Sequence, residues 1–157
     1  MKRLHASILP LAGVLVKAAA AGTVLDLDAS ERAAHLARSA CERFGRSVAV
    51  AVVDASGQTL LASRSPEVGP HNLEAARRKA YTALSTKQST LPLGRLARSQ
   101  PDTAALEYLP ELLLLGGGVP LRQADRVIGA IGVAGGGGPE NDDACAQAAA
   151  ASLFNVR

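Results

Sequence analysis

The sequence predicts an α+β protein: one antiparallel β-sheet with helices on both of its faces. Three observations predict it. Two pairs of short apolar runs are joined by tight polar turns and read as hairpins, hence antiparallel pairing. The run from Ser47 to Asp54 is apolar at odd and even positions alike, so both of its faces are covered. Alanine-rich stretches with helical spacing precede, separate and follow the hairpins, and these supply the covers.

At the start, Lys2-Arg3 precedes an apolar run from Ala6 to Val16, and Lys17 leads into Ala18-Ala19-Ala20-Ala21-Gly22. Residues 1–24 read as an N-terminal arm that packs on the domain or on a neighbouring subunit. A signal-like segment is the alternative. The run is too short to cross a membrane as a helix. Residues 25–157 read as a single domain, with a cytoplasmic location, or an exported one if residues 1–22 are a signal peptide.

Asp26-Leu27-Asp28-Ala29-Ser30 reads as a helix start, with Asp28 or Ser30 as the cap. Ala33, Leu36, Ala37, Ala40 and Phe44 form its stripe, and Gly45 stops it. Residues 47–54 and 59–62 form the first hairpin, turning at Ala55-Ser56-Gly57-Gln58, with Asp54 fixing the turn. After a loop at Ser65 to Pro70, a helix runs from a cap at Asn72 to about Thr86, with Leu73, Ala76, Ala80 and Ala83 inward. Leu93 to Ser99 is a shorter helical piece, and Pro101 to Pro110 holds one helical turn. Leu112 to Leu115 is a strand candidate that enters Gly116-Gly117-Gly118. Leu121 to Gln123 and Val127 to Ala134 form the second hairpin. A last helix starts at Asn141-Asp142-Asp143 and ends near Leu153.

Composition excludes several classes. The 157 residues suit one domain, and the 48% hydrophobic content is mostly Ala, Val and Leu. Only 3% of residues are aromatic, which argues against base-stacking platforms. The net charge of +3 is spread along the chain, and a helix splays Arg77-Arg78-Lys79 over different faces, so nucleic acid is not an expected partner. Cys41 and Cys145 lie outside any metal-binding spacing. They read first as two buried free thiols, with a distant disulfide or a thiolate ligand to iron as alternatives. No nucleophile triad, zinc-protease motif or phosphate-binding loop is present.

Three segments carry a family resemblance. They are Val50-Ala51-Val52-Val53-Asp54-Ala55-Ser56-Gly57, then Arg78-Lys79-Ala80-Tyr81-Thr82-Ala83, then Gly116-Gly117-Gly118-Val119-Pro120 with Ile128 to Gly135 and Glu140-Asn141-Asp142. In this order they resemble the GlcG/HbpS family, which includes the C-terminal domain of PduO-type proteins, over about Leu25 to Leu153. The resemblance implies a bacterial protein with a profilin-like fold, a five-stranded antiparallel sheet with helices on both faces. It also implies homo-oligomers and a small-molecule ligand, haem in some members, with haem degradation attributed to the family. Two places depart from the family pattern: the loop at Arg64-Ser65-Pro66-Glu67-Val68-Gly69, and Asp125-Arg126 where the family has Asp-Gly.

The candidate site residues follow from both lines. Gly116, Gly117 and Gly118 permit close backbone approach, and either cradle an anion or serve a crossover. Gly129 and Gly132, inside a strand, mark a close packing partner. Lys79 is the candidate partner for an anionic group such as a haem propionate. Asp142 and Glu140 read as helix-capping residues. Imidazole is a common axial ligand of haem iron, and His71 is the first candidate, then His35; His5 lies in the N-terminal arm. A haem- or tetrapyrrole-binding protein, with cofactor-borne chemistry if it is an enzyme, is the leading reading. An enzyme of a small anionic metabolite, or an accessory protein, are the alternatives.

Overall fold

The computed structural model describes residues 25–154. Helix α1 spans Leu27–Glu42, and the hairpin β1 (Ala49–Asp54) and β2 (Thr59–Arg64) follows. Next come α2 (His71–Thr86), α3 (Thr90–Ala97), the short α4 (Pro101–Ala104) and a 3-10 turn over Ala105–Tyr108. The second hairpin, β3 (Gly118–Gln123) and β4 (Arg126–Ala134), leads to α5 (Pro139–Ser152). The strand order is β2-β1-β4-β3, with every neighbouring pair antiparallel.

The register sorts the core by size. Val52 pairs with Ile131 and Val50 with Val133, and these side chains face α1 and α5. Ala51 pairs with Gly132 and Ala49 with Ala134 on the face under α2. Helix α2 answers with Ala76, Ala80 and Ala83, at helical spacing along one stripe. The approach is close: a Cβ on Gly132 would stand 1.9 Å from the Ala76 carbonyl oxygen. The strand glycine is there because a helix backbone lies on it.

Four expectations are corrected. Among the described residues the sheet has four strands, where the resemblance implied five. Leu112 to Leu115 joins no ladder, because side chains take its backbone groups. The Leu113 N–H donates to Thr82 Oγ1 at 2.8 Å, Arg78 Nη2 donates to the Leu112 carbonyl, and Thr90 Oγ1 donates to the Leu115 carbonyl at 2.7 Å. The α1 cap is Asp26, whose Oδ1 accepts from the Ala29 N–H at 2.8 Å, so the helix starts ahead of both the Asp28 and Ser30 signals. Helix α2 starts at His71 rather than after Asn72, whose Nδ2 donates back to the Gly69 carbonyl.

Cys41 and Cys145 are not free thiols. They form a disulfide between α1 and α5, with sulfurs 2.03 Å apart. Both residues sit inside the core, on facing helices, which sequence spacing cannot reveal. The bridge closes a chain separation of 104 residues, and long loops gain most from closure. Replacing both cysteines, Cys41→Ala with Cys145→Ala, is expected to lower unfolding free energy by about 2–4 kcal/mol. Denaturant unfolding with and without reductant checks this. The native chain loses stability under reductant, and the double variant is indifferent to it.

Candidate functional site

Lys79 lies on the buried stripe of α2, where its stem crosses the edge of the alanine face. Its ammonium donates to the Asp142 carboxylate at 2.8 Å and to the Val133 carbonyl at 2.9 Å. Lys79 is 1% exposed and Asp142 5%. Asp142 Oδ1 accepts from the Gly136 N–H at 2.7 Å. One ion pair therefore ties α2, β4, the glycine loop at 135–138 and α5. Burial pushes the Lys79 ammonium below its ordinary pKa, and the Asp142 charge and hydrogen bond push it back up. Asp142 thus serves as a buried counter-ion rather than as a plain helix-capping residue.

Gly116, Gly117 and Gly118 are all buried beside this pair. A Cβ on Gly117 would meet the Val133 carbonyl oxygen at 2.4 Å, and one on Gly118 the Lys79 carbonyl oxygen at 2.2 Å. Gly117 also needs its φ of +117°. The Gly118 N–H donates to Thr90 Oγ1 at 2.8 Å, and the Gly117 carbonyl accepts from the Val133 N–H at 2.8 Å. Of the two roles open in the sequence, the geometry displays the crossover packed on its own protein. Next to it, burial pushes the Asp143 carboxyl above its ordinary value, while Gln147 and the Gly117 N–H pull it down. Asp143 Oδ1 is buried without a hydrogen-bond partner among the described residues.

The two histidines are placed apart from this lock. His71 opens α2, exposed, with its ring edge against Gly69. The loop before it is gathered by Arg64, whose Nη1 donates to the Ser65, Pro66 and Val68 carbonyls. His35 stands on the outer face of α1, above a groove of about 490 Å³ lined by Asp28, Glu31, Arg32, Leu36 and Leu153. The first four of these and His35 recur at three- and four-residue spacing, so a helical wheel places them together. Leu153 arrives from the far end of α5, and only the antiparallel packing of α1 and α5 brings it there. His5 lies outside the described residues. Among the described residues no three His, Cys, Asp or Glu side chains are grouped to hold a metal ion. None of the described helices is long and apolar enough to cross a membrane.

Comparison with known proteins covers almost all of this fold. A family described as haem-degrading, HbpS-like proteins matches residues 25–151. The crystal structure of HbpS is 38% identical and superposes with a TM-score of 0.77, covering 87% of this chain and 94% of that one. The crystal structure of a PduOC:haem complex is 29% identical with a TM-score of 0.75, covering 86% of this chain and 98% of that one. The corrinoid adenosyltransferase PduO of Salmonella typhimurium is 32% identical over 124 residues, which is 76% of this chain but 37% of that longer protein.

The lock makes a stability prediction. Lys79→Met strands a buried carboxylate and is expected to cost about 3–5 kcal/mol, most of it restored in the Lys79→Met, Asp142→Leu double variant. The sign with pH follows from the lowered lysine pKa. Relative to an ordinary lysine, Lys79 contributes stability that is fully present above 10.5 and is lost as pH falls through its folded value. Unfolding curves across the alkaline range check both, since Lys79→Met lacks that dependence.

Proposed function

The chain belongs to the HbpS-like family of haem-degrading proteins, and on that premise we propose that it binds haem or a related tetrapyrrole. The observation that supports this best is the His35 groove. A haem site needs an axial donor, apolar walls and a cation for the propionates. The groove offers the His35 imidazole, Leu36 with Leu153, and Arg32. Its volume of about 490 Å³ lies in the range of small-molecule sites. Bound haem would supply redox chemistry at its iron. The chain's part would be to hold it: Arg32 would pair with the propionates, and Leu36 and Leu153 would supply apolar contact.

His71 is the second axial candidate. It ranks below His35 because its ring leans on Gly69. Lys79, Gly117 and Gly118 act in this reading as the scaffold, since the Lys79 ammonium, the Gly117 carbonyl and the Gly118 N–H are engaged within the protein, and Gly116 packs against the Pro139 carbonyl. Leu27 and Phe154 are exposed next to the groove residues Asp28 and Leu153 in sequence. A second copy of the chain covering them is consistent with a homo-oligomer whose contact closes the groove.

The disulfide bears on location. Buried structural disulfides form and persist in oxidising compartments. The Cys41–Cys145 bridge therefore favours the exported alternative over the cytoplasmic one. Alkylation of the protein at harvest from its own source, followed by mass measurement, is expected to show no free thiol; two alkylated cysteines would restore the cytoplasmic reading.

Titration of the purified protein with haemin, followed in the Soret region, is expected to give a saturable, stoichiometric shift. His35→Ala is expected to weaken binding at least tenfold and His71→Ala to leave it nearly unchanged. The opposite pattern moves the axial ligand to the start of α2. No saturable shift in the native protein sinks the haem reading.

A further inference from the structure

We propose a second ligand site, for a small organic anion, at the hairpin end of the sheet. It is independent of the haem reading and shares no lining residue with the His35 groove. A cavity of about 630 Å³ opens there between the two hairpin turns and the C-terminus of α2. Lys87, Arg122 and Arg126 line it, over an apolar floor of Leu25, Val127 and Ile128. Two carboxylates, Asp54 and Asp125, also reach it. The Asp54 charge is already engaged. Its Oδ1 accepts from the Ser56 hydroxyl at 2.7 Å and from the Ser56 and Gln58 N–H groups at 2.8 and 3.0 Å.

The backbone around this cavity is shaped against local preference. Among the described residues, Lys87 (φ 56°) and Ala124 (φ 50°) are the non-glycine residues with left-handed backbone. Lys87 lines the cavity, and Ala124 precedes the lining residue Asp125. Such conformations persist only where the surroundings hold them, and they gather at ligand sites. Here Arg122 holds Lys87, donating from Nη2 to its carbonyl oxygen at 2.9 Å. Both hairpins also shift register towards this end, between Val52 and Val53 and between Leu121 and Arg122. Bulges of this kind re-aim the side chains that follow. The result is a lysine at a helix end where glycine is the usual residue, and an arginine where the family turn has glycine.

Charge completes the argument. The Lys87 ammonium and the Arg126 guanidinium make no hydrogen bond or ion pair among the described residues. Arg122 is tethered beside them. Two uncommitted cations at the mouth of an apolar-floored cavity fit a carboxylate or phosphate head carrying a short apolar body. Lys87 also borders an adjoining hollow of about 280 Å³ on the Tyr81 side, which leaves room for the body to extend.

Calorimetric titration of the full chain with hexanoate, hexyl phosphate and neutral hexanol tests this. Saturable binding of at least one anion, with hexanol much weaker, is expected. Whichever anion binds more tightly identifies the head group. Lys87→Gly and Arg126→Gln are each expected to weaken binding at least tenfold, and His35→Ala to leave it unchanged. Lys87→Gly suits the left-handed backbone, so its melting temperature is expected to be no lower than that of the native chain. That separates loss of the ammonium from loss of the fold. No saturable binding of either anion, binding indifferent to both cation variants, or binding lost in His35→Ala overturns the proposal.

Discussion

The close approach of α2 to the sheet is the constraint on which the rest depends. The face under α2 is built from Ala49, Ala51, Ala130, Gly132 and Ala134, and the helix presents Ala76, Ala80 and Ala83 to it. Side chains this small let two backbones come nearly into contact. Any Cβ at Gly132 would enter the helix backbone, so the spacing is fixed from both sides. Val53 joins the small residues at the end of β1, against Ala80 and Ala83, and the other bulky strand residues, Val50, Val52, Ile131 and Val133, are left to the opposite face, where α1 and α5 close over them. The paucity of aromatic residues and the high alanine content are thus two expressions of one packing scheme.

Close packing under α2 leaves little space for a long side chain, yet Lys79 emerges there. It crosses to the edge of the helix and finds Asp142 and the Val133 carbonyl. An uncompensated buried ammonium would cost several kcal/mol, so lysine and aspartate are required together. Three residues beyond Asp142, Cys145 is bridged to α1. The first half of α5 is therefore fixed twice, by an ion pair to α2 and by a covalent link to α1. Gly116 to Gly118 lie buried between these fixtures, with the Gly117 carbonyl bonded to Val133 and the Gly118 N–H to Thr90.

A centre this fully occupied is consistent with the peripheral placement of both proposed ligand sites. The two recesses with suitable chemistry lie on the outer face of α1 and at the hairpin end of the sheet. They differ in kind. The first pairs an imidazole with leucines and an arginine, and the second sets free cations over aliphatic residues. A rigid body with variable recesses also accounts for one fold serving relatives with different names, a haem complex in one and a domain of an adenosyltransferase in another.

The sequence by itself determined the helices, both hairpins, the antiparallel pairing and the double cover of β1, because periodicity, turn chemistry and two-faced apolarity are local signals. It also singled out Asp54 as the turn residue and Gly132 as a site of close packing. Tertiary structure decided what depends on residues far apart in the chain. Leu112 to Leu115 reads as a strand locally, but Thr82, Thr90 and Arg78 claim its backbone groups. Cys41 and Cys145 read as thiols until antiparallel helices set them side by side. Lys79 reads as the candidate partner for an anionic ligand group, and in the fold the anion it meets is Asp142, 63 positions away. Leu153 joins His35, and Lys87 joins Arg126, only through the packing of whole elements. Local preference acts over a few residues, whereas an ion pair, a disulfide or a groove is a relation between segments that only the folded chain brings within reach.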